Sequence, residues 1–218
     1  MQKVTRMRLQ LALDLVDIAG AKAILAELSD IIDIVEIGTP FILKEGVHAI
    51  TEIKQAYPSL SVLADMKIMD AGDHEARLAY DAGADIVTVL GVAADTTIQN
   101  VVRAARAYQK EVMKEVMVDM IAVQNLETRV KHIDKFAIDY ICVHTASDLQ
   151  QQGQNPYAEL KLLHQVLQHA KPAVAGGIAA DKLQHIIPYH PEIIIVGSAI
   201  TGKPDQRKAA LEIKELMK

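Results

Sequence analysis

Eight short runs of mainly aliphatic residues recur along the chain, separated by longer segments with Ala, Leu, Lys and Glu at helical spacing. The runs are LQLALDL (9–15), IDIVEIG (32–38), SVLADMK (61–67), DIVTVLG (85–91), EVMVDMI (115–121), DYICVHT (139–145), KPAVAGG (171–177) and EIIIVGS (192–198). AGAKAILAELSD and TIQNVVRAARAYQ exemplify the pattern between them. Strict β–α alternation predicts a parallel sheet. Spread over 218 residues, eight units of about 27 residues each predict a closed (β/α)8 TIM barrel near the small end of that fold. The expected organisation is α/β, with a single barrel domain over residues 1–218. An open doubly wound sheet is the alternative. It wants a Gly-rich turn after the first strand, and LALDLVDIAGA contains no G-x-G-x-x-G.

Half of the residues are hydrophobic, but only 4% are aromatic and there is no Trp, so the core is expected to be aliphatic. The single cysteine, Cys142, excludes an intramolecular disulfide and fits a cytoplasmic chain. MQKVTRMRLQLALDL lacks the apolar core of a signal peptide, and no run approaches a membrane span. A net charge of −5 argues against a nucleic-acid partner, though not against a local anion site. One irregularity is EVM, repeated in KEVMKEVMVDM; extra helix or loop is expected there, on the barrel face away from the strand ends.

Residues two apart on a strand share a face. In the first run Gln10, Ala12 and Asp14 lie opposite Leu9, Leu11 and Leu13. The leucines suit helices, so the face with the polar residues is expected to point into the barrel. In the third run Leu63, Asp65 and Lys67 share a face. The same reading puts Glu36, Asp119 and His144 at or near the ends of the second, fifth and sixth strands. Ionisable residues from five strands then converge on the C-terminal mouth, where barrels place catalytic groups. Any one of them alone could be a solvated strand end, and Asp70 could be a plain helix cap. Together they crowd like charges that need a counter-charge. Lys67 is one. A divalent cation between Glu36 and Asp65 is the other, and oxygen ligands with room for water suit Mg²⁺, with Mn²⁺ an alternative. No Cys/His cluster suggests zinc.

Two strands end in glycine turns, VAGGI (Ala175, Gly176, Gly177) and IVGSAI (Gly197, Ser198). The loops after strands seven and eight commonly hold a phosphate in barrels. The residues alone therefore point to a barrel enzyme for a small phosphorylated substrate, with chemistry suited to an enediolate.

The segments ALD, IVEIGTPFILKEG, LADMKIMDAG, DIVTVLG, VMVDMI, YICVHTASDLQ, VAGGI and IVGSAIT resemble the 3-hexulose-6-phosphate synthase family along nearly the whole chain. That family lies in the orotidine 5′-monophosphate decarboxylase suprafamily, whose signature D-x-K-x-x-D is Asp65, Lys67 and Asp70 here. Glu36 stands where the orotidylate decarboxylases carry a lysine, as in the metal-dependent members. The related 3-keto-L-gulonate-6-phosphate decarboxylases have His-Arg-Ser-Arg-Asp after strand six and Gly-Arg after strand eight. Here HTASD keeps His144 but replaces both arginines, with Thr145 and Ser147, and Gly197 is followed by Ser198.

The resemblance implies condensation of formaldehyde with D-ribulose 5-phosphate, the fixation step of the ribulose monophosphate pathway. It implies Glu36 and Asp65 as Mg²⁺ ligands, Lys67 as enediolate stabiliser and His144 as proton carrier. Asp14 and Asp119 would position hydroxyls, and Ala175 to Gly177 with Gly197 and Ser198 would hold the phosphate. It further implies a homodimer in which Asp70 completes the partner's site. The rival expectations are a decarboxylase of a 3-keto sugar acid phosphate and a non-catalytic sugar-phosphate-binding barrel.

Overall fold

The structure is a computed structural model that describes residues 6–108 and 113–218. Eight parallel strands close into one barrel in sequential order: β1 (Arg8–Leu13), β2 (Ile34–Ile37), β3 (Ser61–Ile68), β4 (Ile86–Leu90), β5 (Glu115–Asp119), β6 (Tyr140–His144), β7 (Lys171–Ala175) and β8 (Ile193–Val196). The ring is shut by the pairing of Gln10 with Ile195. Helices α1 (Ile18–Leu28), α2 (Thr39–Glu45), α3 (His48–Ala56), α4 (Gly72–Asp81), α5 (Asp95–Ala107), α6 (Leu126–Ile133), α7 (Ser147–Gln150), α8 (Tyr157–Val166), α9 (Ser198–Thr201) and α10 (Gln206–Leu216) accompany them. No helix among the described residues is long and apolar enough to cross a membrane. The crossover from β7 to β8 differs from the expected helix. It runs through two short 3-10 turns, Ala180–His185 and Ile187–Tyr189. Pro188 and Pro191, which lack the N–H an α-helix needs, lie in this crossover.

The expected facing holds. Leu9, Leu11 and Leu13 are fully buried in the layer between strands and helices. Burying each is worth about 1.5–3 kcal/mol relative to exposure. A second, smaller cluster fills the barrel itself, with Ala12, Ile34, Leu63, Ile86, Met117, Cys142, Ala173 and Ile193 among its members. At the N-terminal end Tyr140 accepts from Arg8 Nη2 (2.5 Å) and donates to Glu115 Oε1 (2.7 Å). With this end packed shut, access to the interior is from the C-terminal mouth.

The strands are mostly shorter than the apolar runs that announce them. β1 stops at Leu13 and leaves Asp14 on the rim; β7 stops at Ala175 and leaves both glycines outside. The EVM repeat begins in residues outside those described. Its described part, Met113 and Lys114, is a non-helical lead into β5, with Lys114 buried and bonded to Ala84 O.

Candidate active site

A cavity of about 1090 Å³ opens at the C-terminal mouth. Asp14, Glu36, Asp65, Lys67, Asp119, His144, Ala175, Gly176, Gly177, Gly197 and Ser198 all line it. Asp70 does not. It is exposed and accepts only from the neighbouring Ala71 N (2.7 Å) among the described residues. The residue at the N-cap position of α4 is Ala71, in the left-handed region, and no side chain among the described residues caps that helix. The cap role for Asp70 is thus not seen.

Asp65 is the most heavily bonded group. Its Oδ1 accepts from Thr88 Oγ1 (2.8 Å), and its Oδ2 accepts from Thr39 Oγ1 (2.8 Å) and from Lys67 Nζ. Simple alternation does not describe how Lys67 gets there. The pairing of β3 with β4 shifts between Ala64 and Ile68, and Lys67 has φ of +46°. A lysine in the left-handed region is strained and needs support from its surroundings. Thr88 supplies it: its Oγ1 accepts from Lys67 N (2.9 Å) while donating to Asp65.

Lys67 Nζ also lies 3.5 Å from Asp119 Oδ2, which is 2.9 Å from His144 Nδ1. Asp119 Oδ1 accepts from Ile121 N (2.9 Å). Burial disfavours the charge on both Lys67 and Asp119, but their partners outweigh it. Asp65, Asp119 and Glu36 hold the Lys67 ammonium above the ordinary lysine range. The His144 hydrogen bond and the charges of His144 and Lys67 hold the Asp119 carboxyl below the ordinary range. His144 Nε2 has no hydrogen-bond partner among the described residues, and the residue faces the cavity.

Glu36 is the opposite case. Burial, then the charge of Asp65, pushes its carboxyl up to about 8, against one helping hydrogen bond from Gln10 Nε2 (2.6 Å). Asp14 is raised too, by the burial of its carboxyl in the mouth and by Asp65. Gly38 makes room for it, since a Cβ there would lie 2.1 Å from Asp14 Oδ1. Four carboxylates thus share one lysine and one histidine. No group of three or more His, Cys, Asp or Glu side chains among the described residues is arranged around a metal position. Glu36, which has no ion pair among the described residues, and Asp65, which keeps Lys67 as a partner, both line the roomy cavity and nonetheless fit a hard cation that keeps waters and takes further ligands from a substrate.

On the far side of the mouth Gly176 (φ +104°) and Gly177 (φ +67°) turn sharply after β7. A Cβ on Gly176 would lie 2.5 Å from Thr145 O, so glycine is needed there for packing. At Gly197, φ is −109° and a Cβ would meet only Ala12, at 3.7 Å. The N–H groups of Gly176, Gly177 and Ser198 make no hydrogen bond among the described residues and border the cavity.

Thr39, Thr88 and the orienting role of Gln10 had no place in the sequence reading. A signal existed for two of them: Gln10 and Thr88 are polar residues on the inward face of strands that are otherwise aliphatic. Thr39 follows the second run and carries no such mark.

The model of the Orotidine 5'-phosphate decarboxylase / HUMPS family matches residues 7–213. A 3-hexulose-6-phosphate synthase of Bacillus subtilis (strain 168) is 48% identical over 97% of this chain and 99% of its own. One from Staphylococcus haemolyticus (strain JCSC1435) is 42% identical over 96% and 98%. The crystal structure of 3-hexulose-6-phosphate synthase from Salmonella typhimurium aligns with a TM-score of 0.93 at 43% identity, covering 97% of this chain and 98% of that one.

Proposed function

The chain belongs to the orotidine 5′-phosphate decarboxylase / HUMPS family, and from that premise we propose that it condenses formaldehyde with D-ribulose 5-phosphate to D-arabino-hex-3-ulose 6-phosphate. The observation that carries this reading is the Asp65–Lys67–Asp119–His144 chain at the mouth of a barrel that also bears two glycine turns. It joins a fixed positive charge to an oriented proton carrier, which is what an aldol condensation through an enediolate requires.

The N–H groups at Gly176, Gly177 and Ser198 would receive the phosphate. Glu36 and Asp65 would hold Mg²⁺ or Mn²⁺. Bound there, the cation supplies Lewis-acid polarisation of the ketone oxygen. His144 Nε2 would take a proton from C1 of the sugar, with Asp119 orienting the ring and stabilising its charge. Lys67 sets its ammonium against the negative charge that develops on the sugar oxygens. C1 then bonds to the formaldehyde carbon, and the former carbonyl oxygen of formaldehyde takes up a proton. Asp14, at the rim, would position a sugar hydroxyl. Asp119 has both oxygens engaged by protein groups, so its contacts favour the orienting role over contact with a hydroxyl.

Asp70 does not line its own cavity, and Met69 and Val92, just beyond the C-terminal ends of the neighbouring strands β3 and β4, are exposed. This supports a homodimer in which Asp70 serves the partner's site.

The test is direct. The protein is mixed with ribulose 5-phosphate, formaldehyde and Mg²⁺, and formaldehyde loss is followed. A parallel assay offers 3-keto-L-gulonate 6-phosphate and measures CO₂. Formaldehyde consumption that needs both the phosphate and the metal is expected. Faster decarboxylation than condensation would transfer the assignment to the rival lyase, and inertness in both assays would leave a binding barrel.

A further inference from the structure

We infer that Gln10 is a positioning residue for Glu36, and that its amide oxygen holds a buried water against the carboxylate pair. The inference rests on the reading of Glu36 and Asp65 as ligands of a divalent cation.

Gln10 sits in the middle of β1, between Leu9 and Leu11, and is fully buried. Its Nε2 donates to Glu36 Oε2 at 2.6 Å. Its Oε1 is buried and has no hydrogen-bond partner among the described residues. An amide carbonyl buried without a donor is unfavourable, and a methionine or leucine would fill the same space without that cost. A glutamine at this depth therefore implies a donor that the described residues do not themselves provide.

The donor has to come from the cavity, which Gln10 lines together with Glu36 and Asp65. Gln10 lies four residues below Asp14 on the same strand face, about 13 Å along the strand. A sugar hydroxyl held at the rim does not reach that far, whereas a water does, and this polar pocket has room for one. A water that is also bound to a divalent cation is a strengthened donor and matches an amide oxygen well.

The two carboxylates differ in how they are held. Asp65 is fixed by Thr39, Thr88 and Lys67. Glu36 has Gln10 alone among the described residues. Removing Gln10 would release the Glu36 carboxylate and the water together, and outer partners of this kind are typically worth about 10–100-fold in metal affinity.

The experiment is a Mn²⁺ titration followed by the electron paramagnetic resonance of free Mn²⁺, on wild type and on Gln10→Met, with Gln10→Leu as a second apolar variant should Gln10→Met not fold. The variant is expected to fold with a metal-free melting temperature lowered by no more than the loss of one buried hydrogen bond, because Glu36 Oε2 loses its donor as the unpaired carbonyl is removed, while the Kd for Mn²⁺ rises about 10–100-fold. A high-resolution structure of the Mn²⁺ form is expected to show a water within hydrogen-bond distance of Gln10 Oε1. Wild-type affinity in a folded variant, or no water at Oε1, would overturn the inference while leaving the metal reading intact. A wild-type protein that binds no Mn²⁺ would overturn the metal reading, and this inference with it.

Discussion

Asp119 Oδ2 stands between His144 Nδ1, at 2.9 Å, and Lys67 Nζ, at 3.5 Å. In the proposed reaction one carboxylate would thus orient the ring that moves a proton and share the charge of the ammonium set against the substrate oxygens. The three residues come from three neighbouring or near-neighbouring strands of one barrel, β3, β5 and β6, so their spacing is set by the sheet rather than by loops.

Asp119→Asn keeps the shape but replaces the acceptor by an amide that cannot stabilise a charged imidazole. The kcat is expected to fall about 10²–10⁴-fold, the range for losing an oriented acid–base group. The KM for ribulose 5-phosphate should change little, since the proposed phosphate contacts lie in the turns after β7 and β8. Steady-state kinetics with both substrates varied checks the split. An unchanged kcat would show that His144 does not depend on this carboxylate.

Glu36 gives the metal-free protein a pH-dependent stability of unusual sign. Its carboxyl is raised from 4.5 to about 8, so between those values the folded state holds a proton that the unfolded chain has released. Stability then falls as pH rises through that window, opposite to the usual carboxylate trend. Melting curves of the EDTA-treated protein should show a lower Tm at pH 8 than at pH 5.5. Added Mg²⁺ should raise the Tm most at the alkaline end, where the carboxylate is ionised and free to bind it. Glu36→Gln should flatten both effects, and an identical pH slope in that variant would assign the titration elsewhere.

Most of the barrel was legible because period-two facing and β–α alternation are local properties of the sequence. Leu9, Leu11 and Leu13 reveal the helix side of β1, and by exclusion Gln10, Ala12 and Asp14 its inner side. Strand ends were less legible. Ladder pairing stops where the backbone turns, as at Gly176, while the apolar run continues past that point. Lys67 was placed correctly for an incomplete reason. Its juxtaposition with Asp65 comes from a left-handed residue pinned by Thr88 on the next strand, a non-local contact with no period to announce it. The same holds for Thr39, whose hydroxyl reaches both the main-chain and side-chain oxygens of Asp65 across two elements.

The two glycine turns separate packing from binding. Gly176→Ala forces a Cβ against Thr145 O in a left-handed conformation, so it should destabilise by roughly 1–3 kcal/mol and lower the Tm. Gly197→Ala meets no backbone obstacle and should leave the Tm near that of wild type. If the phosphate sits against the Ser198 N–H, the added methyl group next to it would crowd that contact, and the KM for the phosphorylated sugar should rise about tenfold, the scale of one lost hydrogen bond to a charged group. Differential scanning fluorimetry with steady-state kinetics distinguishes the two. A Gly197→Ala enzyme with normal KM would place the phosphate away from β8.

Asp70 and Lys67 belong to one signature, yet only Lys67 faces the cavity of its own chain. If Asp70 completes the neighbouring site, Lys67→Ala and Asp70→Ala are each inactive as homodimers, because every site lacks one of the two groups. In the proposed mechanism loss of Lys67 would remove a charge aimed at the developing enediolate, so about 10²-fold or more in kcat is expected from that change alone. When the two variants are mixed and allowed to exchange subunits, each mixed dimer contains one site with both lesions and one with neither. Activity should return, approaching half of the wild-type value per mixed dimer. Differently tagged subunits, purified in tandem, allow that fraction to be measured against the heterodimer actually formed. Heterodimers that form but stay inactive would show that Asp70 acts within its own chain. In that case the loop from Met69 to Ala71 would have to fold back over the mouth when substrate binds.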